Sequence, residues 1–408
     1  MNIDAALSLD DIRVLARKRI PRIAYDFIEG GADDECCLQR NRAVFKRYQL
    51  VPRYLRDVSR RDQSVTLLGR RYGSAIGIAP TGLAGMFRRG ADCMLAQAAK
   101  EHDIPFLLSS QSNDSIETVA RIAPHHVWFQ LYCTPDRRIN RDLVRRAADA
   151  GVQVLVVSVD VPVAANRVRN RRNGFTRPFR LTPRIVLQAL ARPGWLWEYL
   201  RNGGLPMMQN WLPYAPPDAT VGQVADLFTT LTPNPTTSWD MVAEIRQQWP
   251  GALVLKGILD PADARRAADS GVDAIIVSNH GGRQLDAAPT PIDMLPSIRA
   301  AVPAMPLLVD SGLRRGSDIV IALCLGAGFT FFGRPTLYGA AAAGLDGVRK
   351  ALAIVRAEID MVMAQIGCNR VDALDAQWLR NAVDAPWHGA TPAPRTPDGD
   401  APALRTTP

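Results

Sequence analysis

The chain has 408 residues, 47% of them hydrophobic, and a formal net charge of +9, enough apolar material for one large barrel or for about two to three ordinary domains. The positive charge is concentrated: nine arginines (Arg167, Arg169, Arg171, Arg172, Arg177, Arg180, Arg184, Arg192 and Arg201) and one acid, Glu198, lie between Val161 and Pro217, so this segment carries +8 and the remainder is close to neutral. That localisation, without a recognised nucleic-acid motif, argues against a nucleic-acid binder.

Six cysteines show no metal-type spacing and only the adjacent pair Cys36 and Cys37 is close, which points to a reduced, cytoplasmic-side protein without a metal centre. The N-terminus carries Asp4, Asp10 and Asp11, and no run approaches the roughly 18 apolar residues of a spanning helix, so neither a secretory signal nor a membrane span is expected.

In chain order, Ser8 reads as the cap of a helix with Leu9, Ile12 and Leu15 at helical spacing. Pro21 starts a second helix that ends at Gly30-Gly31. Short apolar runs then recur at Ile76–Ala79, Ile104–Leu108, Val127–Leu131, Val154–Val157, Ala252–Leu255, Ala274–Val277, Leu307–Val309 and Phe329–Phe332. Helix-like segments alternate with them. Eight such alternations predict an α/β protein built as a (β/α)8 TIM barrel with N-terminal helices, an open doubly wound sheet being the alternative. The predicted organisation is a single barrel domain over residues 1–382, with a long insertion after the fourth strand at about 175–231. An Ala/Pro/Thr-rich tail over 383–408 reads as disordered.

The runs end in polar residues: Thr81, Ser109, Gln130, Ser158, Lys256, Ser278, Asp310 and Arg334. On a barrel these converge on one mouth although they are far apart in sequence. After the sixth run comes Ser-Asn-His-Gly-Gly-Arg-Gln-Leu-Asp (Ser278–Asp286), which supplies a base, His280, glycines that let backbone approach a ligand, and a guanidinium, Arg283. Gly312 and Gly333 follow the seventh and eighth runs, where barrels hold phosphate between backbone N–H groups and a helix N-terminus, and Arg334 adds a fork that matches phosphate oxygens. No Gly-x-Gly-x-x-Gly follows a strand, so a Rossmann nicotinamide site is not indicated.

The nonapeptide and its flanking strand resemble the signature of the FMN-dependent L-2-hydroxy-acid oxidases and dehydrogenases, over about residues 8–380. The resemblance implies FMN as cofactor, with Pro80, Thr81 and Gly82 against the isoalloxazine and Ser109, Gln130 and Ser158 on its ring edge and ribityl chain. Ser278 would join that cradle, and Asp310-Ser311-Gly312-Leu313-Arg314 with Gly333 and Arg334 would hold ribityl and phosphate. A lysine is expensive to bury alone; by resemblance Lys256 finds its partner in the reduced flavin's N1/O2 edge. Asp160 would orient His280, the catalytic base. Tyr25, Tyr132, Arg167 and Arg283 would bind the carboxylate and hydroxyl of a 2-hydroxy acid, with Tyr132 and Arg283 also catalytic. Relatives commonly carry acids after the arginine where this chain has Val168 and Asn170.

Gly82 stands where quinone-using relatives tend to have glycine and oxygen-using ones alanine, which favours a dehydrogenase over a peroxide-forming oxidase. Gln111 replaces a tryptophan frequent in oxidases, and several segments look nearest to the mandelate dehydrogenase branch, with lactate open. The basic insertion, with Trp195, Trp197, Trp211 and a helix start at Thr182-Pro183, has the composition of a peripheral membrane contact on the inner face, an active-site lid or an oligomer contact being the plainer reading. A homo-oligomer is the expected assembly. A non-redox flavin barrel and a phosphate-binding barrel are the remaining alternatives.

Overall fold

The computed structural model describes residues 2–175 and 181–381. The tail read as disordered, Arg177 and Arg180 lie outside the described residues. Eight short strands run in parallel: β1 (Ile76–Ile78), β2 (Phe106–Ser109), β3 (Val127–Leu131), β4 (Val154–Ser158), β5 (Ala252–Ile258), β6 (Ala274–Val277), β7 (Leu307–Val309) and β8 (Phe329–Phe332). Each pairs with the next, and β8 closes on β1 with Phe331 opposite Gly77. All strand residues are buried except Ala252 and Gly257, which are half-buried. This is the pattern of a parallel sheet covered by helices outside and filled by side chains inside. Helices between strands start where a side chain can take an otherwise unpaired N–H: Ser115, Asp136, Asp260 and Thr290 each accept one from the first turn of the helix that follows. The architecture is the (β/α)8 barrel expected from the alternation.

The period of two along each strand sorts the barrel interior into layers. The lower layer is aromatic. Tyr72, from the hairpin Val65–Leu67/Arg70–Tyr72, packs edge-on against Trp128 and Phe329, and Phe331 lies 5.6 Å from Trp128. Trp128 Nε1 donates to Tyr72 Oη at 3.1 Å, which satisfies both groups inside the plug. A Cβ on Gly77 would sit 2.4 Å from Phe331, so β1 can pass the plug only without a side chain. Two residues beyond Trp128 comes Gln130, and two beyond Ile276 comes Ser278. The layer above the plug is therefore polar, and it forms the floor of the mouth.

Two additions cover the barrel. Helix Leu9–Arg19 opens on a capping box between Ser8 and Asp11 and packs on the long C-terminal helix Arg334–Ile366. Helix Arg22–Glu29 follows Pro21 and stops at Gly30, whose φ of −67° is extended rather than left-handed. The chain thus continues across the mouth, where a Cβ on Gly31 would meet Gly282 O at 2.8 Å. Between β4 and helix Trp239–Gln248 come helices Pro183–Leu190, capped by Thr182, Pro193–Arg201 and Val221–Leu231. The three insertion tryptophans do not act alike. Trp211 is fully buried and donates to Ser110 O, and Trp195 donates to Met86 O, so both anchor the insertion on the barrel. Only Trp197 is exposed, together with Leu181, Leu187, Leu190 and Leu200. No helix among the described residues is long and apolar enough to cross a membrane.

Candidate active site

His280 sits one turn past β6 with φ +58°, a left-handed conformation that a side-chain-bearing residue adopts only when its surroundings impose it. Those surroundings are explicit. Ser278 Oγ accepts the His280 N–H at 3.0 Å, and Asn279 Oδ1 takes the Gly282 N–H and the amide of Asn41. The imidazole Nδ1 lies 2.9 Å from Asp160 Oδ1, and Nε2 lies 3.2 Å from the Tyr132 hydroxyl. A carboxylate opposite Nδ1 holds the proton there, so Nε2 is bare and faces the mouth. Burial pulls the His280 pKa below the ordinary histidine value despite Asp160, so the ring is neutral at neutral pH. Burial also works against the Asp160 carboxylate, but His280 and Lys256 outweigh it and hold it below the usual range. Asp160 is held close by β5: its Cβ would be 2.4 Å from a Cβ on Gly257, whose φ is +108°.

Beneath the base, Lys256 Nζ donates to Ser278 Oγ at 2.8 Å and pairs with Asp310 Oδ2 at 2.9 Å. Lys256 and Asp310 are only 3% and 6% exposed, and Asp310 and Asp160 help keep the ammonium charged against its burial. The protein's own counter-ion for Lys256 is therefore Asp310. Sequence reasoning assigned that role to a flavin because spacing alone does not reveal that β5 and β7 reach across β6. Gln130 Nε2 donates to Ser158 Oγ at 2.8 Å, and Ser109 Oγ accepts the Gln111 N–H.

Three guanidiniums crowd one side of the cavity. Arg283 Nη1 donates to Phe27 O and Gly30 O, and its plane lies 4.9 Å over the Phe27 ring. Arg334 donates to the carbonyls of Ile28, Gly30 and Gly281, and Arg167 to Arg283 O and Gln284 Oε1. Each is bonded to neutral oxygens and makes no ion pair among the described residues. Burial pulls all three below the ordinary arginine value, Arg283 far below and Arg334 to about 10, with the neighbouring arginines adding to the effect for Arg283. Positive charge held this way calls for anions.

Thirteen of the sequence-predicted residues line one cleft: Pro80, Thr81, Gly82, Tyr132, Arg167, Lys256, His280, Arg283, Asp310, Gly312, Arg314, Gly333 and Arg334. Ser109, Gln130, Ser158 and Ser278 form the buried floor beneath it. Tyr25 is not brought to the cleft wall; its hydroxyl lies 3.4 Å from both Arg13 Nη1 and Glu29 Oε2. From that helix the cleft is reached by Phe27 and Ile28, which sequence reasoning missed because an aromatic at helical spacing carries no functional signal.

A neutral base beside unpaired guanidiniums at the C-terminal end of a (β/α)8 barrel defines an enzyme-type mouth suited to anionic ligands. Residues 16–381 match the family model described as FMN-dependent dehydrogenase. The chain is 40% identical over 374 residues to (S)-mandelate dehydrogenase of Pseudomonas putida, covering 92% of this chain and 94% of that one. It is also 40% identical over 375 residues to L-lactate dehydrogenase of Caulobacter sp. (strain K31), covering 91% and 98%. Among solved structures it superposes on monotopic membrane protein (S)-mandelate dehydrogenase with a TM-score of 0.89, at 39% identity over 92% of this chain and 100% of the other. A mandelate oxidase variant superposes with a TM-score of 0.76 at 34% identity, over 92% and 98%. The chain belongs to the FMN-dependent 2-hydroxy-acid dehydrogenase family, and its cofactor is FMN.

The residues present fit that group. Thr81 Oγ1 and Gln130 Oε1 are buried at the mouth without a hydrogen-bond partner, which a flavin ring edge would supply. At Gly312 φ is +89° and the Asn41 backbone excludes a Cβ, so the cleft wall beside Arg314 and Arg334 stays bare backbone, which a phosphate could approach closely.

Proposed function

We propose that this enzyme oxidises an L-2-hydroxy acid to the 2-oxo acid, with His280 as base and a quinone-type molecule as final acceptor. The observation that carries the reading is the Asp160–His280–Tyr132 chain facing half-buried arginines that have no carboxylate partner among the described residues. Arg283 and Arg167 would take the substrate carboxylate, and Tyr132 would hold the hydroxyl within reach of His280 Nε2. Oxidation of the alcohol carbon releases two electrons and two protons. His280 Nε2 accepts one proton, and Asp160 stabilises the resulting imidazolium without itself becoming protonated. FMN, when bound, would supply the acceptor for the electron pair and the second proton, with the quinone-type molecule as its oxidant. Lys256, already charged against Asp310, would favour an anionic reduced ring.

The acceptor reading rests on Gly82 and on the insertion. Leu187, Leu190, Trp197 and Leu200 are exposed on two successive helices of a segment that also carries Arg184, Arg192 and Arg201, a composition suited to an anionic bilayer surface where quinone resides. The match to a mandelate oxidase favours a second reading, direct reaction with oxygen. Anaerobic bleaching of the bound flavin by mandelate or lactate tests the first half-reaction, and no bleaching by any L-2-hydroxy acid would refute it. Under air without an added acceptor, little peroxide is expected; stoichiometric peroxide at the turnover rate would select the oxidase. The protein is expected in the membrane fraction at low salt, and full recovery in the soluble fraction would end the membrane assignment.

A further inference from the structure

The cleft continues outward past His280. Phe27, Gln111, Tyr132, Arg167 and His280 belong both to the inner cleft and to an outer one. The outer part is walled by Phe175, from the stretch after β4, and by Phe228, from helix Val221–Leu231. The Phe228 ring stands edge-on to Tyr132 with centroids 6.5 Å apart, and Phe175 packs 4.7 Å from Phe27. A methyl group on the substrate carbon would leave this space unused, whereas a flat apolar body fits between such walls.

The charge of the outer cleft is one-sided. Among the described residues no Asp or Glu lines it, whereas Arg167 and Arg171 do. The Arg171 side chain is exposed, donates to Asn166 Oδ1 at 3.1 Å and makes no ion pair among the described residues. Arg171 lies on the short helix Val168–Arg172, where Asn170 is 5% exposed and its Oδ1 has no hydrogen-bond partner among the described residues. Val168 and Asn170 leave the whole Arg167–Arg172 stretch without a carboxylate. By contrast, Arg169, on the other side of this helix, is neutralised by Glu35 and Asp26. Of the arginines on this stretch that make no ion pair among the described residues, Arg167 and Arg171 face the cavity.

We propose that the outer cleft receives the substrate's side chain, and that this side chain is an aryl-sized apolar body ending in an anion held by Arg171. This specificity rests on the function proposed above, with the 2-hydroxy carboxylate at Arg167 and Arg283 and the distal anion at Arg171. Arg171 selects the substrate and takes no part in the chemistry.

The test uses the FMN-loaded enzyme and anaerobic stopped-flow bleaching with two probes, mandelate and 4-carboxymandelate. The wild-type enzyme is expected to show the higher kcat/KM for 4-carboxymandelate. In Arg171→Gln the ratio of the two kcat/KM values should fall about fivefold, the scale of one exposed charge pair. Raising the salt concentration to about 0.5 M should lower the wild-type ratio and barely move that of the variant. A wild-type preference for mandelate, or a ratio identical in the two proteins, would overturn the assignment of Arg171. Bleaching by mandelate alone would sink this specificity and leave the 2-hydroxy-acid reading standing. Bleaching by neither acid nor by lactate would sink both.

Discussion

Asp160→Asn isolates the contribution of one charge. The substitution keeps the shape of the side chain and can keep an oxygen opposite His280 Nδ1, where the native contact is 2.9 Å. What disappears is the negative charge that must face the imidazolium formed when His280 takes its proton. Both side chains are largely buried, at 16% and 10% exposure, so solvent screens the pair poorly. Unit charges roughly 4 Å apart at an effective dielectric of about 20 interact by about 4 kcal/mol. At about 1.4 kcal/mol per tenfold, the bleaching rate with a good 2-hydroxy acid should fall about 10³-fold. The pH profile supplies the sign. Burial already lowers the His280 pKa while Asp160 raises it, so removing Asp160 lowers it further. The acid limb of kcat/KM, which rises with pH as His280 loses its proton, should move to lower pH in the variant. The assay is stopped-flow bleaching from about pH 5 to 9, with FMN content measured on the same samples. A loss below tenfold in fully FMN-loaded protein, or an acid limb displaced upward, would refute the role given to the Asp160–His280 pair.

Lys256→Met should destabilise the fold by about 3–5 kcal/mol, because it leaves Asp310 buried without its counter-ion. Urea denaturation checks this, and the double variant with Asp310→Asn should recover much of the loss. Gly257→Ala drives a Cβ to 2.4 Å from that of Asp160 at a φ of +108°. It should slow flavin bleaching on the order of 10²-fold by tilting the base, with no comparable effect on FMN affinity. Asp92 is buried behind β2, where it accepts the N–H groups of Asn113 and Asp114, and burial followed by the Asp114 charge pushes its pKa up to about 7. A raised folded-state value means that the stability this group contributes is present below the ordinary carboxylate pKa and is lost as pH rises through about 7. Asp92→Asn should therefore gain melting temperature relative to the native protein as pH rises, as calorimetry at about pH 4 and about pH 8 would register. Parallel curves for the two proteins would dismiss this account of Asp92.

The barrel was legible in the primary structure because strand periodicity, cap residues and polar strand ends are local properties. Eight apolar runs, with Ser115, Asp136, Asp260 and Thr290 before their helices, need no knowledge of distant contacts. So were the identities at the mouth, since His280, Gly281, Gly282 and Arg283 are contiguous. What these residues do to one another was not legible. Lys256 and Asp310 lie 54 positions apart and become an ion pair only when β5 and β7 flank β6. Tyr25, at helical spacing beside Phe27, reads equally well as pointing into or out of the cleft, and the placement of Glu29 and Arg13 decided it. The insertion's composition likewise could not separate the buried Trp211 and half-buried Trp195 from the exposed Trp197. Patterning along a chain records which groups prefer water and which backbone shapes are allowed; which buried charge meets which partner depends on closure of the barrel, and only the tertiary structure decided that.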